Sequence, residues 1–457
     1  MRNNRVSDSL ADVLERMKCF FSPKYGIANR LYIEEMEQKR ITRKDCGTLV
    51  FANVIPMYVS TVLNSNQPSR SGAGASLSKG KSQIKAFGEF IERFSAANIR
   101  DDHVVPLIYN TYENQCKLGN CLDLCELIDF DDSIYERKNV PYLRYTQDDI
   151  ISWVKGMELT SGTPAWIPAQ KAYLGIPFKN GEMPYVQAIS TGLACGSSYE
   201  GAAVGGVLEV VERDSFMLTW LLKLHGKRII VDAAQNTELM DLYRHITMHL
   251  VGDDRLFVYD ISRTEGVYTV LTFIRNDNPN SYGLVTAAAS DIDPERALLK
   301  SLEELCLSQA FAYEKLFESK EFTHLFRNMR REDVTDLHAH FFYYGTGKNS
   351  CEFDFIENPD LCIRLSEMQD YQSAAATDEE RLLYLINLFK SQELPVYSVD
   401  LTRPEVAECG LSVYKMIIPG FNDLDISHEF RMLSNRRLLA YQAQYNATIN
   451  EAPHPFP

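Results

Sequence analysis

Apolar residues recur at intervals of three and four in two stretches of the chain, Ile84, Phe87, Ile91 and Phe94 in one and Val204, Val207, Leu208 and Val211 in the other. This spacing predicts two amphipathic helices. Each is preceded by a run of small residues, Ser71-Gly72-Ala73-Gly74-Ala75-Ser76 and Ser190-Thr191-Gly192-Leu193-Ala194-Cys195-Gly196-Ser197. These runs read as tight loops whose backbone N–H groups approach an anion at a helix N-terminus. A third long helical pattern runs from Pro294 to about Leu316 and has an N-cap in Asp291-Ile292-Asp293. Shorter helical stretches cover Ser9 to Met17 and about 379–391.

Between them lie strand patterns at Thr48–Val54, Trp153–Leu159, Tyr268–Ile274, Gly283–Ala289, Val396–Asp400 and Ser412–Ile418, the last stopped by Pro419-Gly420. Residues of about 317–378 are the least regular and read as a loop-rich lobe able to cover a site. The mixture predicts an α+β fold.

At 457 residues the chain exceeds the usual single domain. A net charge of −15 excludes a nucleic-acid surface, which needs a basic footprint. No apolar run approaches the roughly 20 residues that span a bilayer. The first residues, Met1 to Asp8, carry no hydrophobic segment of a secretory signal, so a cytoplasmic protein is expected. The ten cysteines are scattered, as free thiols in a reducing compartment are. Cys116, Cys121 and Cys125 match no common zinc spacing, and Cys195 reads as a small packing residue.

The chemistry enters with a pattern written twice, 120 residues apart: Glu89-Phe90-Ile91-Glu92-Arg93 and Glu209-Val210-Val211-Glu212-Arg213. At about 100° per residue, both glutamates of each motif share one face, roughly opposite the apolar stripe and at the same offset. One such copy is ordinarily a solvated helix face. Two copies in the same phase, each behind a small-residue run, point instead to convergence of four carboxylates. Like charges of that density need cations, and Mg²⁺ shared with phosphate is the natural occupant. A nucleotide-using enzyme is therefore expected, although neither run is a Walker A or dinucleotide fingerprint.

In order, Gly74 to Arg93, Ser190 to Arg213, Asp293-Pro294 through Glu304, and Asp400-Leu401-Thr402 through Pro419-Gly420 resemble the YcaO superfamily. The chain then ends on Pro453-His454-Pro455-Phe456-Pro457, similar to the tail of the family's azoline-forming cyclodehydratases of ribosomally made peptide pathways. The resemblance implies a YcaO-type fold with internally duplicated strand/helix halves enclosing an ATP site. It also implies a division into an N-terminal segment (1–60), a catalytic domain (61–450) and a proline-rich tail (451–457).

The implied activity is ATP- and Mg²⁺-dependent conversion of Cys, Ser or Thr of a precursor peptide to thiazolines or oxazolines. Glu89, Glu92, Glu209 and Glu212 match metal positions, and Arg93 and Arg213 match residues that orient them or contact phosphate. Gly74, Ser76, Ser197, Glu200, Lys300 and Glu304 match nucleotide positions. Pro455 and Pro457, with the Pro457 carboxylate, match a tail that reaches the active site. Three departures stand out: Gly74-Ala75-Ser76 where the family has Gly-Lys-Gly, Lys85 for a common serine, and Thr191 for asparagine. Lys85 is expected to restore a positive charge nearby.

The resemblance implies a separate leader-binding partner related to ubiquitin-activating enzymes and a flavin dehydrogenase acting nearby; a homodimer is common in the family, and the oligomeric state stays open. Nucleic acid and membrane are not expected as partners. The alternatives are backbone thioamidation or amidine formation, a non-catalytic docking subunit, and a divalent-metal hydrolase that uses no ATP.

Overall fold

The computed structural model describes residues 9–23, 26–37, 40–45, 48–65, 67–97, 107–278, 282–318, 328–345, 348–358, 360–369 and 377–456. The expected α+β class holds. A three-stranded antiparallel sheet runs in the order Arg30–Met36, Met57–Asn64, Gln67–Ser76. The helix carrying the first motif, Lys79–Ala97, lies on its last strand. A seven-stranded sheet contains Leu193–Gly196, Ser412–Ile417, Tyr397–Asp400, Ile151–Glu158 and Thr163–Pro168 as successive neighbours. A five-stranded sheet has the order Leu284–Asp291, Tyr268–Arg275, Arg255–Asp260, Lys227–Ile230, Cys362–Arg364. Thr48–Asn53, expected as a strand, pairs with Arg40–Asp45 in a two-stranded sheet among the described residues.

The first small-residue run departs from the loop expected of it, and the second does so only after the turn at Ser190–Gly192. Ser71–Ser76 is the end of a strand paired residue by residue with Tyr58–Leu63, and Leu193–Gly196 is a strand paired with Ser412–Lys415. Their smallness serves packing. A Cβ on Gly72 would lie 2.2 Å from Ala86 O, and one on Gly74 would lie 2.5 Å from Ser82 O. The first-motif helix therefore sits directly on backbone, and Phe87, Phe90 and Ile91 are driven into the core with no exposure, each worth about 1.5–3 kcal/mol. Ile84 and Phe94, from the expected stripe, are only partly buried against that core.

The second-motif helix, Tyr199–Leu221, is capped by Ser198, whose hydroxyl accepts the Gly201 N–H at 3.0 Å. It is buried on nearly every side, polar positions Glu212, Asp214, Ser215 and Thr219 included. The face expected opposite an apolar stripe is thus interior. The third helix, Pro294–Glu318, begins where Asp293 accepts the Glu295 N–H at 2.8 Å. It covers the five-stranded sheet from the side opposite the second-motif helix, with Leu302 and Leu305 fully buried. Within the lobe expected at 317–378, the described parts include a helix, Leu337–Tyr343, and a strand, Cys362–Arg364, that extends the five-stranded sheet.

Candidate active site

The two motifs are held by their own halves in the same way. Glu89 Oε2 accepts the Ala73 N–H at 2.6 Å, and Glu209 Oε2 accepts the Gly192 N–H at 3.0 Å. Each first glutamate thus grips the strand before its helix, 16 residues upstream in one half and 17 in the other. The second glutamate of the first motif crosses between halves: Glu92 Oε1 accepts the Cys195 N–H at 2.8 Å. That contact carries the first motif to the second.

Burial raises the pKa of Glu92 well above the usual carboxylate range, with Glu209 and Glu89 adding to it against the Cys195 N–H. Burial likewise raises Glu212 well above that range, and Glu304 and Glu209 add to it against Arg213. Glu209 is raised by burial as well, and the protein crowded about Glu304 raises its carboxyl although the residue is open to solvent. Glu304, from the third helix, therefore joins the motif glutamates. Burial works against the Arg213 charge, but Glu212, Glu209 and Glu304 together raise its pKa.

The carboxylates form a chain rather than the single point expected. Among the described residues no three acidic, histidine or cysteine side chains converge as a ready metal cage. Backbone donors already hold one oxygen on each of Glu89, Glu92 and Glu209, which spreads them. Mg²⁺ usually takes one or two carboxylates and completes its shell with water and phosphate, so this donor set suits it. One further observation favours charge still to be supplied. Glu212 Oε1 and Arg213 Nη1 are buried without a hydrogen-bond partner although they lie 3.2 Å apart, and buried polar groups are rarely left so.

The two motif arginines have different surroundings. Arg93 pairs with Glu89 at 2.5 Å and donates to Ser71 O at 2.7 Å. Arg213 lies over the Phe456 ring at 4.4 Å. Ser197 is exposed beside the capping Ser198, and Glu200 lies in the first turn of the helix. Gly74 is spent on the helix contact, and Ser76 Oγ accepts the Ser78 N–H at 3.2 Å at the strand–helix junction. Lys85 pairs with Glu303 at 2.7 Å and opposes the raised pKa of Glu304, so it does bring positive charge to the site.

Lys300 is tied to buried Asp291 at 2.9 Å, and Asp291 also accepts two bonds from Arg381 at 2.7 and 2.8 Å. Burial opposes the Asp291 charge, yet Lys300 and Arg381 hold its carboxyl below the usual range. Arg381 was not singled out from the sequence. Its partner lies 90 residues away, and no local pattern joins them.

The C-terminal tail runs through the interior. Ala452 O accepts from Trp220 Nε1 at 3.1 Å, Pro453 O from the Tyr344 hydroxyl at 2.6 Å, and Pro455 O from Thr286 at 3.0 Å. His454 stacks on His340 at 3.8 Å, and its carbonyl accepts from His340 Nδ1 at 3.0 Å. Phe456, 3% exposed, packs on Phe216 at 4.7 Å and on Arg213. Phe456 thus lies beside the second motif; Pro457 lies outside the described residues. No helix among them is long and apolar enough to cross a membrane.

Residues 73–422 match the family model described as YcaO cyclodehydratase, ATP- and Mg²⁺-binding. A solved heterocyclase in complex with substrate and cofactor aligns with TM-score 0.72 at 19% identity, covering 100% of this chain and 58% of its own. YcaO from Methanopyrus kandleri bound with AMPPCP and Mg²⁺ aligns with TM-score 0.59 at 19% identity, over 84% of this chain and 86% of that one. The E. coli microcin synthetase McbBCD complex aligns with TM-score 0.55 at 17% identity, over 86% and 88%. At these identities the likeness is one of fold. The chain spans little more than half the length of the heterocyclase it matches.

Proposed function

The chain belongs to the YcaO family, and on that premise we propose that it is an ATP- and Mg²⁺-dependent cyclodehydratase making thiazolines or oxazolines from Cys, Ser or Thr of a precursor peptide. The observation that carries this reading is the buried tail, which brings Phe456 onto Arg213 at the end of the carboxylate chain. In the proposed reaction the side-chain thiol or hydroxyl attacks the preceding carbonyl carbon, and the former amide oxygen must then leave. ATP supplies the phosphoryl group that makes this oxygen a leaving group, and Mg²⁺ offsets the charge that develops. The nucleophile gives up its proton on attack and the nitrogen loses its own as phosphate departs, so one ring accounts for one ATP, with ADP and phosphate released.

The chain's own residues would position and compensate charge. Glu89, Glu92, Glu209 and Glu212 would hold the metal, with Glu304 extending the set. Lys300, half exposed and aimed by Asp291, would face phosphate together with the turn at Ser197 and Glu200. Arg213 would be oriented between Glu212 and the tail. The buried tail favours ring formation over thioamide or amidine formation, whose nucleophiles come from elsewhere. The substrate held by the solved heterocyclase and the multi-subunit make-up of the microcin synthetase complex support a substrate and partner subunits here, and a peptide substrate with a separate leader-binding subunit is part of the same proposal.

The test is calorimetric titration of the full chain with a slowly hydrolysed ATP analogue, with and without Mg²⁺, alongside Glu92→Gln and Glu212→Gln. Magnesium-dependent binding by the wild type, lost in both variants, is the expected result. Wild-type protein that binds no analogue, or variants that bind normally, would sink the proposal.

A further inference from the structure

A buried lysine stands outside the roles assigned so far. Lys415, in the strand Ser412–Ile417, is 2% exposed, and its Nζ donates to Ile189 O at 2.7 Å. Burial lowers its pKa to about 8, while Asp423 and Glu209 favour its charged form. Burying an ammonium is costly, so what it holds is informative. Ile189 immediately precedes the turn Ser190–Leu193, which is closed by Leu193 N–H to Ser190 O at 2.8 Å. Met416, next to the lysine, donates its N–H to Gly192 O at 2.7 Å. Gly192 has φ of 82°, and a Cβ there would lie 2.2 Å from Met416 O. One strand thus fastens the chain just before the turn and the Gly192 carbonyl within it, and the product is the Gly192 N–H offered to Glu209.

In the first half the same task falls to the motif arginine. Arg93 donates to Ser71 O at 2.7 Å, two residues before the Ala73 N–H that holds Glu89. In the second half Arg213 lies 3.5 Å from Glu209, 3.2 Å from Glu212 and over Phe456. The carbonyl three residues before the Gly192 donor is held by Lys415 instead.

We propose that Lys415 is the positioning residue for Glu209, making from a neighbouring strand the carbonyl clamp that Arg93 makes in the first half, and so releasing Arg213 to Glu212 and the tail. The inference rests on the reading of Glu209 as part of a magnesium–nucleotide site. It explains how one motif written twice yields two arginines with different work.

The full chain is titrated with a slowly hydrolysed ATP analogue over a series of Mg²⁺ concentrations, and the Mg²⁺ half-point is read. Lys415→Met is expected to raise that half-point by about 10-fold to 100-fold, the range for loss of a residue that orients a metal ligand. Lys415→Arg keeps donor and charge and is expected to restore most of the affinity. Lys415→Gln, polar but uncharged, is the second variant should the methionine fail to fold, and is read the same way. In a Glu209→Gln background Lys415→Met should add nothing. A wild-type half-point in Lys415→Met, no rescue by arginine, or full additivity with Glu209→Gln would each overturn the proposal. Absence of Mg²⁺-dependent binding in the wild type would overturn both this inference and the functional reading, whereas the variant outcomes strike the inference alone.

Discussion

Glu212 shows how burial and repulsion act on one side chain. Its carboxyl is raised well above the usual range by burial, and Glu304 and Glu209 add to this. A carboxyl whose folded pKa exceeds its unfolded one binds more proton in the folded state, so the stability it contributes falls as pH rises through the folded value. Without metal, Glu212→Gln should therefore melt above the wild type at pH 8, and the gap should shrink toward pH 5. Thermal melts at the two pH values check this, and an equal gap at both would refute it. The same variant is expected to lose magnesium-dependent nucleotide binding. The glutamates themselves were legible because the motif is written twice at one phase. Arg381 and Lys415 were not, because their partners lie 90 and 226 residues away along the chain.

Among the elements, the first strand–helix pair is limited by backbone contact. Gly72→Val would drive a side chain into Ala86 O and the Phe90 N–H, atoms 2.2 and 2.4 Å from the Cβ position. Overpacking of that kind costs about 1–3 kcal/mol, which urea unfolding would register. Gly88, in the same helix, has nothing within 4 Å of its Cβ position. Gly88→Ala should stabilise by about 0.5–1 kcal/mol through helix propensity alone. Smallness in the sequence was visible, but a loop and a strand under a helix both use it, and only the sheet pairing separates them. The tail is the other telling element. Phe456→Ala removes the ring over Arg213, so it should abolish ring formation while leaving magnesium-dependent analogue binding in place. Mass spectrometry of the peptide and calorimetry of the variant read the two separately.

For the molecule as a whole, the Glu92 bond to the Cys195 N–H joins the first-motif helix to the second half. A ligand that binds only the folded form at 100 times its Kd adds about 2.7 kcal/mol of stability. Analogue with Mg²⁺ should therefore raise the melting temperature of the wild type, and analogue without Mg²⁺ should not. Glu92→Gln keeps an acceptor for Cys195 and Glu92→Ala does not, so both should lose the ligand-induced rise but only the alanine should lower the ligand-free melting temperature. The sequence by itself determined the α+β class, the positions of five helices and the two acidic motifs, because periodicity and repeated spacing are local properties of a chain; the helices Thr237–His249 and Arg436–Tyr445 were not expected from it. Only the tertiary structure decided that both faces of the second-motif helix are interior, that the carboxylates form a chain rather than a point, that Phe456 of the tail reaches Arg213, and that Lys415 rather than Arg213 binds the Ile189 carbonyl. Each of these depends on which distant backbone donor or acceptor comes within about 3 Å of a side chain, and that is settled when the sheets pack and not by spacing along the chain.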